Sequence, residues 1–174
     1  MTVDQMIEDI LENEGGYSNN PHDKGGATNH GITIKTLTAW RNRLCTEYDV
    51  KTLKRSEAAA IYRSEYYTGP KINQLPELIQ PVLFDMAVNH GPVKAVTILQ
   101  KVLNAMIDAN LVVDGKIGPK TASSASMAVE VYKADLVKSI VDARKAFYEA
   151  ICDNDPSQLA FLKGWLKRAD SFIA

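Results

Sequence analysis

Apolar and polar positions along the chain recur mostly with the period of a helix. In the opening stretch Val3, Met6, Ile7, Ile10 and Leu11 fall on one stripe when residues are laid out at about 100° each, whereas Asp4, Glu8, Asp9, Glu12 and Asn13 fall away from its centre. Similar patterns predict helices over residues 2–14, 33–45, 56–67, 77–89, 92–109, 119–151 and 156–172. Thr2, Thr33 and Ser56 are placed to cap three of them. Pro76, Pro81, Pro92, Pro119 and Pro156 mark starts or interruptions, and Gly15 and Gly91 follow ends. The run "VEVYKADLVKSIVDARKAFYEAI" reads as one amphipathic core helix. Strand-like alternation is confined to residues 25–34, enough for a small hairpin. The expected fold class is therefore mainly α, with no internal repeat and its softest boundary at "VNHGPVK", residues 88–94.

One acid breaks the pattern of the first helix. Glu14 lies seven residues after Ile7 and four after Ile10, near the middle of the apolar stripe, so the periodicity aims it inward. Burial disfavours a carboxylate, and so does the negative end of a helix dipole; both would raise the pKa of Glu14. A carboxyl that holds its proton near neutrality is what general-acid cleavage of a glycosidic bond requires. The competing reading is a glutamate at a frayed helix end, turned to solvent or bonded to a loop amide.

After Glu14, Gly15 and Gly16 end the helix, and a polar loop brings Asp23, Gly25, Gly26, Thr28, Asn29 and His30. A better-solvated second carboxylate at Asp23 would stay ionised and serve as base, nucleophile or charge stabiliser, the division of labour used by glycosidases. Taken alone, Asp23 in "NNPHDKGG" is also a good turn former.

Composition narrows the classes. Lys plus Arg number 20 against 21 Asp plus Glu, so there is no excess of positive charge to neutralise phosphates, and nucleic acid is not expected as a partner. Cys45 and Cys152 are far apart and show no metal-binding or redox spacing; free thiols are expected. His22, His30 and His90 have no HExxH or similar spacing, which argues against a zinc amidase, and no metal or other cofactor is implied. No run approaches the roughly 18 apolar residues of a membrane span, and "MTVDQMIEDILENEGG" lacks the basic and apolar regions of a secretory signal.

The string "ENEGGYSNNPHDKGGATNHGIT" resembles the N-terminal signature of glycoside hydrolase family 108 muramidases, in which EGGY is followed by D, GGAT and GIT. "YYTGP" at 66–70 and "FDMAVNHGP" at 84–92 are similar to later blocks of that family, a Tyr-rich helix end and a D.AVN.G helix that border the cleft. "VDGKIGPKT" at 113–121 and "FLKGWLKR" at 161–168 resemble a C-terminal predicted peptidoglycan-binding segment. The resemblance implies a lysozyme-like helical fold in which residues 1–91 form the catalytic segment and 92–174 a wall-binding segment packed with it as one compact unit. Glu14 would be the general acid, Asp23 the second carboxylate, and Thr28 a residue that positions water or substrate. Thr28 follows Asp23 after four intervening residues, where T-even phage lysozymes have five, so Asn29 and His30 are alternatives for its place.

Tyr17, Asn29, His30, Tyr66, Asp85 and Asn89 are the candidate substrate-binding residues. For Asp85 and Asn89, four apart on one helix face, an internal hydrogen-bonded pair is the alternative. For Tyr62, Tyr66 and Tyr67 the choice is sugar stacking or a core position with a wet hydroxyl. Bacterial peptidoglycan is the implied partner, with no stable membrane insertion and a monomer expected. A phage endolysin, made in the host cytoplasm and released through a holin pore, is the expected setting; a secretion-associated muramidase, a lytic transglycosylase and a non-enzymatic wall-binding module are the alternatives.

Overall fold

The computed structural model describes residues 2–19 and 26–173. The chain packs as two compact units, Met1–Glu65 and Tyr66–Ala174, and is mainly helical with one two-stranded antiparallel sheet among the described residues. No helix among these residues is long and apolar enough to cross a membrane.

In the first unit, α1 (Val3–Asn13) begins with a reciprocal cap: Thr2 accepts from the amide of Gln5, and the Gln5 side chain accepts from the amide of Thr2. The predicted stripe of Val3, Met6, Ile7, Ile10 and Leu11 is the face it buries, and it packs against α4 (Arg55–Arg63). Ion pairs between Arg55 and Glu8 and between Arg63 and Asp4 join the exposed flanks of the two helices. Between them run β1 (Thr28–Asn29), β2 (Ile32–Thr33), α2 (Ile34–Arg41) and α3 (Glu47–Lys51). Thr33 caps α2 as expected. Ser56 does not cap α4, which starts at Arg55 behind Lys54 and has no side-chain cap. α3 lies in a stretch with no predicted element, and Thr46 with Asp49 forms a second reciprocal cap at its start. Arg41 links three helices by bonding both oxygens of Glu57, at 2.8 and 2.7 Å, and Asp49 at 3.0 Å.

The second unit follows a π-helical turn at Ser64–Thr68 and a short 3₁₀ turn at Ile72–Gln74. Its core is built from α5 (Gln80–His90), α6 (Pro92–Ile107), α7 (Pro119–Tyr132), α8 (Ala134–Asn154) and α9 (Leu159–Asp170). The single helix expected over 119–151 is two, because Lys133 takes φ 45° and ψ −117° and no helix continues through that conformation. α5, on the sequence reading the end of the first segment, buries its apolar residues against α6 and α8 and so belongs by packing to this unit.

A charged cluster sits inside that packing. Asp85 is 3% exposed and Arg144 0%; Arg144 donates to Asp85 at 2.6 Å and to the Tyr148 hydroxyl at 2.9 Å, and Arg168 donates to the other Asp85 oxygen at 2.7 and 3.0 Å. The His90 ring packs edge-on against Phe147 and Tyr148. Burial, reinforced by the nearby Arg144 charge, lowers the His90 pKa from its ordinary 6.5 to about 4, against a smaller opposing pull from Asp85. Between pH 6.5 and about 4 the unfolded chain therefore binds a proton at His90 that the folded chain refuses, and stability falls as the pH falls through that window. Replacing His90 with Phe should flatten this dependence, read as urea midpoints at the two ends of the window; parallel profiles for the two proteins would refute the assignment.

Candidate active site

Glu14 is the residue immediately after α1. Its backbone is still helical (φ −70°, ψ −14°), its amide donates to Ile10 O at 2.8 Å, and Gly15 then turns to φ 70°. The inward aim expected from the periodicity is corrected here: Glu14 is exposed. The helix stops at Asn13, so no further turn carries cover over the stripe at this point. Among the described residues, none hydrogen-bonds or pairs with its carboxylate. It faces the turn of the hairpin instead.

That hairpin is positioned by three local devices. Ser18 and Thr28 exchange backbone hydrogen bonds of 2.8 Å, drawing the segment after Glu14 back alongside β1. The register Thr28 opposite Thr33 and Asn29 opposite Ile32 leaves His30 and Gly31 as a two-residue turn, both at positive φ (52° and 75°), the pattern of a type I′ hairpin. The Tyr62 hydroxyl, from α4, donates to His30 O at 3.0 Å and anchors the turn.

A Cβ on Gly31 would overlap the Tyr62 hydroxyl and stand 3.1 Å from a carboxylate oxygen of Glu14. Only glycine therefore satisfies both the left-handed backbone and the approach of the acid. Gly31→Ala should reduce glycosidase activity about 100-fold, because displacement of the turn or of the acid by about 1 Å is enough for such a loss. Activity within a few-fold of wild type in a folded Gly31→Ala protein would remove the turn from the site.

The remaining candidates separate clearly. Thr28 is half-buried in β1, and its hydroxyl makes no hydrogen bond to a described residue. His30 is half-buried, with a buried Nδ1 that has no partner among the described residues. Asn29 takes another role from the one expected: it is 6% exposed, and its amide nitrogen donates to Val50 O and Lys51 O at 3.0 and 3.3 Å, tying β1 to the end of α3. Tyr17 is half-buried and donates its hydroxyl to Glu47, which is also the main reason its pKa is raised; Lys51 lies 5.7 Å from its ring centre. Asp23 lies outside the described residues.

Tyr66, Asp85 and Asn89 belong to the second unit. Tyr66 is half-buried against that unit's core. Asp85 is buried and Asn89 exposed, and the two are hydrogen-bonded: the Asn89 amide donates to Asp85 O at 2.6 Å and to its carboxylate at 3.2 Å, and the carboxylate is occupied by two arginines. The reason is electrostatic, since a buried carboxylate needs compensating charge. Gly31 and the anchoring role of Tyr62 are the site residues the sequence reading missed. The turn was encoded in "NHGIT", where a Gly closes a two-residue loop between strand residues.

The chain is mainly helical, and the Glu14 carboxylate, which has no partner among the described residues, ends a helix and faces a hairpin turn. The family model described as Glycosyl hydrolase 108 matches residues 7–91, and the Predicted Peptidoglycan domain model matches residues 94–170. The chain is similar to the solved structure of Brucella abortus SagA: 32% identity over 97% of this chain and 90% of that one, with a TM-score of 0.77. No significant match is found among curated proteins. The chain belongs to the glycosyl hydrolase 108 family and is a peptidoglycan hydrolase of the muramidase class.

Proposed function

We propose that the protein hydrolyses the β-1,4 bond between N-acetylmuramic acid and N-acetylglucosamine, with Glu14 as general acid. The observation that carries this reading is the exposed carboxylate of Glu14, without a partner among the described residues, facing the Gly31 turn. The Glu14 carboxyl gives its proton to the glycosidic oxygen as the bond to the anomeric carbon breaks, and the neighbouring sugar leaves as an alcohol. Asp23 is the second carboxylate, stabilising the developing positive charge or activating water, and Thr28 positions that water or the substrate. His30 and Tyr17 flank the acid as substrate contacts.

The test is digestion of purified peptidoglycan followed by mass spectrometry of the product ends. Reducing N-acetylmuramic acid ends are expected. If 1,6-anhydro ends form instead, the C6 hydroxyl of the sugar has replaced water, and the enzyme is a lytic transglycosylase. Reducing N-acetylglucosamine ends would place the cut at the other bond.

For the setting, we propose a monomeric phage endolysin, made in the host cytoplasm and delivered to the wall by holin-type release. A holin gene beside the coding sequence supports this reading; a secretion locus there would assign the enzyme to wall remodelling for export. Light scattering at the mass of one chain, 19.2 kDa, tests the monomer.

A further inference from the structure

The loop between α6 and α7 in the second unit is built around a buried amide. Gln100, 1% exposed on α6, donates to Asp114 Oδ1 at 2.9 Å and to Lys116 O at 3.1 Å, and accepts from the Gly115 amide at 2.9 Å. The same Asp114 oxygen accepts from the Lys116 amide at 2.9 Å. Gly115 has φ 72°, and a Cβ there would stand 2.9 Å from Val93 O. The loop is thus held from inside by the side chain of Gln100, and its outer face is open.

That face walls an open cavity of about 430 Å³, within the range of small-ligand sites (roughly 300 to 1,000 Å³). Leu111, Ile117 and Pro119 supply apolar lining, and Lys71, Lys116 and Lys120 supply charge. No described carboxylate stands within ion-pair distance of any of the three ammonium groups. Asp114 is the one acid in the lining, so its formal charge is three lysines less one aspartate, or +2. Pro119 opens the 14-residue α7 here, and the first-turn amides of Lys120 and Thr121 add donors without partners inside the helix.

We infer that this cavity binds the carboxylate-bearing stem peptide of peptidoglycan, an inference that rests on the wall as substrate. Short acidic peptides rich in alanine offer several carboxylates for the three lysines and methyl groups for the apolar lining, whereas a peptide-free glycan strand offers one lactyl carboxylate per muramic acid. The two units then divide the substrate by chemistry. The first cuts the glycan, and the second holds the acidic peptide.

The test measures binding without turnover. The full-length Glu14→Gln protein is titrated with the soluble tetrapeptide L-Ala-γ-D-Glu-meso-diaminopimelate-D-Ala by NMR, with chitotetraose and inorganic phosphate as separate arms. Tetrapeptide binding should shift the amides of Ile117 to Thr121, and Lys116→Glu with Lys120→Glu should weaken it by roughly tenfold or more. Chitotetraose should shift none of these amides, and phosphate at equal concentration should not displace the peptide. Peptide affinity unchanged in the folded double variant, shifts caused by chitotetraose, or displacement by phosphate would each overturn the inference. Absence of glycosidic cleavage by the wild-type enzyme would instead remove the catalytic reading, which the binding data do not touch.

Discussion

Glu14→Gln should lose peptidoglycan cleavage by about 10² to 10⁴-fold while folding as the wild type does. The amide keeps the size of the side chain but has no acidic proton to give the leaving oxygen. Among the described residues nothing pairs with the charge: the residue is exposed, its carboxylate bonds to none of them, and its backbone bond to Ile10 is one that Gln preserves. A negative charge at the C-terminal end of α1 also opposes the helix dipole, an unfavourable interaction of about 0.3 to 1 kcal/mol, so the variant should melt at or slightly above the wild-type temperature. Release of reducing ends and thermal melting on the same samples read both halves. Full activity in the variant would refute Glu14 as the acid; a large drop in melting temperature would show that the side chain is structural.

The path to Glu14 shows what periodicity conveys. Laying residues around a helix axis put Glu14 in line with Ile7 and Ile10, which are buried, whereas Glu14 itself is exposed. It does not convey what stands opposite. The expected burial failed because the helix ends at Asn13, and the partner across from the acid is a hairpin turn of bare backbone and glycine. The hairpin and the caps at Thr2 and Thr33 were legible because each depends on a few adjacent residues. α3 was not predicted: its cap, Thr46 with Asp49, is equally local, but five residues are too few to show a helical period.

Other features had no local trace. The break between α7 and α8 rests on positive φ at Lys133, a residue type that gives no warning of it, and apolar residues continue at helical spacing on both sides. The partners of Asp85 lie 59 and 83 residues away, so its role is set by tertiary packing, and a carboxylate four residues before an asparagine reads equally well as cleft or core.

Asp85→Ala should therefore act on stability, at a cost of about 3 to 5 kcal/mol, against a total of roughly 5 to 15 kcal/mol for a typical domain. Arg144 is fully buried, and one of its terminal nitrogens already lacks a partner among the described residues. Without Asp85 its charge keeps only the Tyr148 hydroxyl and the adjacent rings, whereas Arg168, with a side chain 43% exposed, can turn to water. The loss is thus mainly an uncompensated charge at Arg144, and it should be reversible by removing that charge. The double variant Asp85→Leu with Arg144→Met should recover most of the stability, since a buried ion pair replaced by apolar groups of similar volume is often neutral or better. Chemical denaturation of the two proteins makes the comparison. A double variant no more stable than Asp85→Ala would mean the network is needed for packing beyond its charge balance. Asp85→Asn that melts normally but loses cleavage would return Asp85 to the substrate cleft, where the sequence pattern alone had allowed it to be.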